Sequence, residues 1–196
     1  TRPAIRLSRG GGSGGSIWLT CRTFGGSASG LLRADGGPSS ESRSGGGGGG
    51  RIAVVYNPEE QGVLAPPDVR FSAAAGSQAS ARAPRVGPTH GTLYFPDTQW
   101  VPSMIAGGQF KSVELVIPGF TSWTAETLTV GAGELLLPPG FDLKVTGDMT
   151  MLAGANLHFQ ASATHVATQF YGSRLSVGGN LELASGAWLH PHAEMT

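Results

Sequence analysis

Apolar and polar residues alternate in several short runs of this chain. Three runs are clear: Ile17-Trp18-Leu19-Thr20-Cys21, Arg51-Ile52-Ala53-Val54-Val55-Tyr56 and Gly91-Thr92-Leu93-Tyr94-Phe95. An alternation with a period of two residues is typical of a β-strand that has one buried face. Clusters of Gly and Pro separate the runs, and prolines such as Pro66-Pro67, Pro96 and Pro102 exclude long helices. The pattern therefore predicts a chain of many short strands.

The C-terminal part contains an internal repeat. Residues Leu143–Phe159 and Leu175–Pro191 align without gaps at an offset of 32 residues and share seven of seventeen positions. A shorter related run, Leu128–Leu137, precedes them. Strands of two to five residues cannot form a stable sheet alone, so the repeat predicts that equivalent strands pair with one another at a spacing of about 4.8 Å.

This repeat favours an all-β fold, a right-handed parallel β-helix (a β-solenoid) with glycine-rich N-terminal coils. With turns of roughly 20–25 residues the chain would make about eight or nine coils. A β-sandwich is the alternative, because short strands with frequent turns also suit that architecture.

Composition divides the chain into three zones of one continuous domain, which we expect to be a fragment of a longer chain. Residues 1–56 are glycine-rich β coils, and sixteen of the 32 glycines precede position 51. We expect these glycines to provide tight turns with positive φ and close approach of neighbouring backbones. Residues 57–112 are irregular Pro-rich coils, in which 72–83 could be a loop or a short helix. Residues 113–196 are regular β-helix repeats.

Charge and cysteine content restrict the function classes. The formal net charge is zero, which argues against a nucleic-acid partner. Residues 1–85 carry ten Arg and five acidic residues, whereas residues 86–196 carry three basic and eight acidic residues. No apolar run approaches the ~18 residues of a membrane span. The single Cys21 excludes an intramolecular disulfide and a multi-Cys zinc site, and its place in the alternation predicts a small buried side chain.

The glycine runs also carry a family resemblance. Gly10–Ser16 with Ile17-Trp18-Leu19, and Gly45–Gly50 with the strand that follows, resemble the glycine-rich parallel β-helix repeat regions of large bacterial secreted or surface proteins of the adhesin kind. Leu128–Leu189 is similar to the passenger sequence of such proteins. The resemblance implies an extracellular or cell-surface stalk, sheath or adhesive role.

No motif assigns a catalytic residue, a cofactor or a metal. Gly11–Gly15 matches the G-x-S-x-G pattern but lacks a preceding strand and a following helix, and the overlapping dinucleotide-like spacing of Gly10, Gly12 and Gly15 also lacks the helix. The acidic side chains Asp142, Asp148 and Glu182 are dispersed. We expect Asp148 and Asn180 to be turn residues that tolerate left-handed backbone geometry.

The remaining candidates are aromatic. His158 and His190 are equivalent in the repeat and should point outward into solvent; stacked imidazoles that share a metal ion are the alternative. Trp18 and Trp188 are also predicted to face outward, where each could contact a glycan or another protein. Trp100 and Trp123 could plug the solenoid.

We therefore predict a non-enzymatic, extracellular structural or adhesive element. Its expected partners are copies of itself or other surface proteins, bound through the solenoid ends. The alternative is a protein that binds or cleaves polysaccharide.

Overall fold

Short strands dominate the fold. The computed structural model describes residues 10–39, 44–77, 89–160 and 172–192, which contain fifteen strands and two helices of four and seven residues. In chain order the elements are β1 (Ser16–Thr20), β2 (Leu31–Arg33), β3 (Arg51–Val55), α1 (Pro58–Gln61), β4 (Arg70–Ser72), β5 (Gly91–Tyr94), α2 (Val101–Gly107), β6 (Phe110–Val116), β7 (Ser122–Ala125), β8 (Leu128–Val130), β9 (Gly133–Leu137), β10 (Asp142–Val145), β11 (Met149–Met151), β12 (Ala155–Gln160), β13 (Arg174–Val177), β14 (Leu181–Leu183) and β15 (Trp188–His192).

The strands form three sheets, and every strand pair among the described residues is parallel. The large sheet has nine strands, with the order β1-β3-β5-β6-β9-β12-β15 and with β2 and β4 attached beside this path. The two smaller sheets have three strands each, in the orders β13-β10-β7 and β14-β11-β8.

The two similar C-terminal segments pair as their alignment predicts. Leu143 is opposite Leu175, Met149 is opposite Leu181, and Leu157 is opposite Leu189, each at the offset of 32 residues. The apolar positions of the first segment point into the core, where Leu143, Met149 and Leu157 are at most 1% exposed. The local inference from the repeat is confirmed.

The predicted right-handed parallel β-helix is nevertheless wrong. The prediction called for turns of roughly 20–25 residues along the whole chain, but paired strands here are separated by between 20 residues (Ser122 to Asp142) and 41 residues (Arg51 to Thr92). The large sheet also branches, because β6 pairs with β4, β5 and β9, and the smaller sheets are confined to the C-terminal part. The repeat near the C-terminus does not extend to the glycine-rich half.

The alternative β-sandwich is wrong as well. A sandwich packs two antiparallel sheets face to face, with neighbouring strands joined by hairpins or Greek-key connections. The described residues contain only parallel pairs, and each pair is joined by a long crossover.

The core is one continuous apolar cluster that includes residues from all three composition zones. Trp100 lies in this core and is 2% exposed. The centroid of its ring is 4.2 Å from that of Tyr56, 5.7 Å from that of Phe24 and 5.5 Å from that of Phe95. Trp100 therefore fills the core beside α2, while Trp123 is only partly buried against it. The zone boundaries at 56 and 112 stay predictions.

Four segments, which we call the glycine bundle, interlock beside the N-terminal strands: residues 10–15, 34–39, 45–50 and 73–77. Their backbones hydrogen-bond to one another, as in Gly14 N–H to Gly48 O (2.8 Å), Gly47 N–H to Gly37 O (2.9 Å) and Gly76 N–H to Gly47 O (2.7 Å). A Cβ atom built on Gly47 would lie 1.9 Å from the carbonyl oxygen of Gly12. The predicted close approach of backbones is confirmed.

The predicted positive φ is wrong for the glycine bundle. The glycines with positive φ lie in turns and loops elsewhere, at 26, 108, 119, 133, 140, 154 and 186. The segment 72–83 was expected to be a loop or a short helix; its residues 73–77 belong to the bundle, and its remainder falls outside the described residues, as do Pro84 and Pro88.

Candidate functional site

The two tryptophans predicted to face outward are both exposed. The side chain of Trp18 is 73% exposed and that of Trp188 is 60% exposed. They lie on β1 and β15, at opposite edges of the large sheet, and six inter-strand spacings of about 4.8 Å separate them by roughly 29 Å in the direction across the strands. They do not converge on one groove, and their contact roles stay predictions.

A polar row leads across the sheet to Trp188. In the parallel register Glu134 on β9 is opposite Asn156 on β12, which is opposite Trp188 on β15. Opposite residues on neighbouring strands point to the same face of a sheet. An acidic, an amide and an aromatic side chain therefore follow one another on the outer face.

Glu134 is the centre of a cluster that comes from four parts of the chain. Its Oε1 atom lies 3.1 Å from Nε2 of His158 and 3.4 Å from Nε2 of His90. The hydroxyl of Ser112 donates a hydrogen bond to the other carboxylate oxygen. The Glu134 side chain is 27% exposed, so these contacts are partly shielded from water.

A β-bulge places Ser112 in this cluster. Lys111 is opposite Glu134 and Val113 is opposite Leu135, so Ser112 is the extra residue on β6. Its φ of 53° is the only positive φ at a non-glycine residue among the described residues. A bulge redirects the side chain of the inserted residue, which here brings the Ser112 hydroxyl to the carboxylate.

These contacts keep Glu134 ionised. The contact with His158, assisted by the Ser112 hydroxyl and by the charge of His90, lowers the pKa of the Glu134 carboxyl from 4.5 to about 2, against an opposing effect of burial. A carboxylate with so low a pKa accepts hydrogen bonds, but at neutral pH it holds no proton to donate to a leaving group.

The two repeat histidines stack rather than stand separately in solvent. The rings of His158 and His190 are 4.3 Å apart and inclined by 8°, and the Trp188 ring follows at 5.8 Å from His190 with an inclination of 17°. The outward direction was predicted correctly, but solvation was not, because the side chain of His158 is only 12% exposed.

The other carboxylates named from the sequence remain apart from this cluster. Asp142 and Glu182 are exposed on the two smaller sheets, and Asp148 Oδ1 accepts the N–H of Asn180 at 2.7 Å. Asp148 and Asn180 are thus turn residues, as expected, but their backbones are not left-handed. Within the described ranges no group of three or more His, Cys, Asp or Glu side chains is arranged to hold a metal ion.

The outermost strands leave core-facing side chains uncovered. Leu181 and Leu183 on β14 are 41% and 47% exposed, although their partners Met149 and Met151 on β11 are fully buried. At the opposite end the core-facing residue of β2 is Leu32, which pairs with the buried Phe71 and is itself only partly buried. In the part of the chain that the structure describes, seven strands pair on one side only: β1, β2, β7, β8, β13, β14 and β15.

Cys21 packs against the core beside Ile17 and Leu19 but is only half-buried. Neither described helix is long and apolar enough to span a membrane. No family model, curated protein or solved structure matches the chain.

Proposed function

We propose that this chain is an extracellular structural or adhesive element that associates with further copies of itself through the open edges of its sheets. The resemblance of the glycine runs to secreted and surface proteins supports the extracellular location. Labelling of intact source cells with an antibody against the chain tests that location, and signal only after permeabilisation would contradict it.

The exposure of Leu181 and Leu183 is the observation that carries the self-association. The equivalent positions on β11 are fully buried because β14 covers them, and within the described residues no strand covers β14 in turn. Burying apolar surface is worth about 25 cal/mol per Å², so an added layer of the same kind would be favoured. Unpaired backbone groups along the edge strands add a template for further pairing.

The charge distribution supports a head-to-tail arrangement. Residues 1–85 carry a balance of +5 and residues 86–196 a balance of −5. Two copies that meet with opposite ends bring a basic half beside an acidic half, whereas two copies that meet with identical ends oppose like charges.

Sedimentation velocity over a range of protein concentrations tests the association. We expect the wild-type chain to form larger species as the concentration rises, and Leu183→Glu to remain a monomer because the charge would be desolvated in the contact. Leu152→Glu is the matched control, since Leu152 is 43% exposed in the turn that follows β11. A wild-type chain that stays monomeric at every concentration would contradict the proposal.

Polysaccharide binding is a second candidate, favoured by the polar row that ends at Trp188. An exposed tryptophan offers an apolar platform for a sugar ring, and the aligned amide and carboxylate offer hydrogen-bond partners for hydroxyl groups. Titration with maltohexaose, cellohexaose and chitohexaose by calorimetry tests it. Binding that Trp188→Ala removes and Trp18→Ala retains would support a glycan site, and no heat with any of the three would argue against it.

A further inference from the structure

We infer that β1 of one copy pairs in parallel with β15 of the next copy, so that Trp18 of the first lies beside Trp188 of the second. This inference rests on the proposed self-association and names the two strands that meet.

The first step is that both tryptophans lie on one face of one sheet. A continuous row crosses the sheet through six register pairs, which join Ser16, Arg51, Thr92, Glu114, Leu136, His158 and His190. Trp18 is two residues from Ser16, and Trp188 is two residues from His190. Because side chains of a strand alternate between faces, both tryptophans point to the face on which this row lies.

The second step concerns strand direction. Each pair along the path from β1 to β15 is parallel, so all seven strands point the same way. A second copy in the same orientation can therefore place its β1 beside β15 and continue the sheet. Such a contact joins different surfaces of the two copies, and it repeats without limit unless the rotation closes a ring.

The third step is that β1 has backbone groups available for this pairing. The N–H of Cys21, just after β1, donates to the carbonyl oxygen of Val55 at 3.0 Å. Because the N–H groups of a strand point alternately to its two sides, those of Ser16, Trp18 and Thr20 are directed away from β3, towards the open edge.

The fourth step is that three aromatic side chains on β12 and β15, which are His158, His190 and Trp188, pack in a column that a further aromatic side chain could extend. His158 and His190 stack across the two strands, and Trp188 packs against His190. A tryptophan about 4.8 Å further along the sheet would extend this packing, because aromatic side chains on neighbouring strands stabilise one another. The contact also buries both of the exposed tryptophans.

Cysteine crosslinking tests the pairing. If Trp18 lies opposite Trp188, Thr20 lies opposite His190, at the Cα distance of neighbouring strands that a disulfide can bridge. Single-cysteine chains are made as Thr20→Cys and His190→Cys in a Cys21→Ser background and are oxidised alone and mixed. We expect about tenfold more disulfide dimer in the mixture than in either chain alone.

The register has its own control. Ser16→Cys mixed with His190→Cys should give little dimer. Position 16 lies four residues, about 13 Å along the strand, from position 20, which is the predicted partner of position 190. Dimer formed equally well by Thr20→Cys alone would indicate contact between identical ends and overturn the pairing. A mixture that sediments as oligomers but does not crosslink would refute this pairing and leave the self-association standing, whereas monomers throughout would refute both.

Discussion

At the scale of single residues, Glu134 joins strands from both halves of the large sheet. It contacts His90 just before β5, Ser112 in the bulge of β6, and His158 on β12. A carboxylate with three polar partners and limited exposure stabilises the folded state in its ionised form.

This predicts a pH-dependent effect of Glu134→Gln. Because the pKa of Glu134 is lowered in the folded chain to about 2, its stabilisation is present above the unfolded value of 4.5 and is lost as the pH falls from there towards 2. We expect the free energy of unfolding of the variant to be roughly 2–3 kcal/mol lower than that of the wild type at pH 7 and to approach the wild-type value near pH 2.

Urea denaturation at a series of pH values measures this difference. Glu126→Gln serves as the control, because the side chain of Glu126 is exposed. A constant difference between Glu134→Gln and the wild type across the series would contradict the ionised cluster.

The sequence predicted some of these residues and missed others. Strand alternation was enough to place Trp18, Trp188, His158 and His190 on an outer face. It missed Glu134, because the Leu128–Leu137 run pairs with the repeat at an offset of 21 residues in its first half and 22 in its second, so an alignment without gaps from Leu128 puts Glu134 opposite Ala155 and not opposite Asn156. The bulge at Ser112 carries no signal in the alternation, because one inserted residue looks the same as a change of face.

At the scale of elements, the glycine bundle depends on the absence of side chains at particular positions. A Cβ on Gly14 would lie 2.1 Å from the carbonyl oxygen of Ala34 and 2.5 Å from the backbone nitrogen of Gly50, whereas a Cβ on the adjacent Gly15 would meet nothing within 4 Å. Two neighbouring glycines thus have different structural roles.

Gly14→Ala should therefore destabilise the chain by about 3 kcal/mol, because backbone atoms would have to move apart. Gly15→Ala should change the free energy of unfolding by less than about 1 kcal/mol, since it adds no contact and restricts the unfolded chain. Thermal unfolding followed by circular dichroism compares the two variants. Equal losses would show that the bundle is not packed as described.

The small sheet β14-β11-β8 allows a second comparison within one pair of strands. Met151 on β11 is fully buried, and its partner Leu183 on β14 is 47% exposed. In dilute, monomeric protein we expect Met151→Ala to cost about 2–5 kcal/mol and Leu183→Ala about 1 kcal/mol or less. Denaturant unfolding measures both, and a large cost at Leu183 in the monomer would mean that this end is already covered.

The repeat was informative about pairs of elements but not about their arrangement in the chain. It gave the correct 32-residue register from β10 to β13 and onwards to β15. It did not reveal that spacing varies elsewhere, since the glycine bundle and two helices occupy the crossovers of the N-terminal half. Backbone hydrogen bonds between glycine segments leave no alternation of side chains from which a register could be inferred.

At the scale of the whole molecule, both edges of the large sheet and the exposed leucines of β14 lead to the same proposal. One edge of the large sheet is β1, which belongs to the basic half of the chain (residues 1–85), and the other edge is β15, which belongs to the acidic half (residues 86–196). Each of these two strands carries one exposed tryptophan. If copies of the chain assemble in this way, the continuous sheet that they form would be the functional structure.

Hydrogen exchange at low and high protein concentration tests this account most directly. The N–H groups of Trp18 and Thr20 point to the open edge of β1, so they should exchange quickly in dilute protein and become protected as the concentration rises. The N–H of Cys21, which already donates to Val55, is the internal reference and should change little. Protection of Trp18 and Thr20 that does not change with concentration would contradict the assembly of copies through β1.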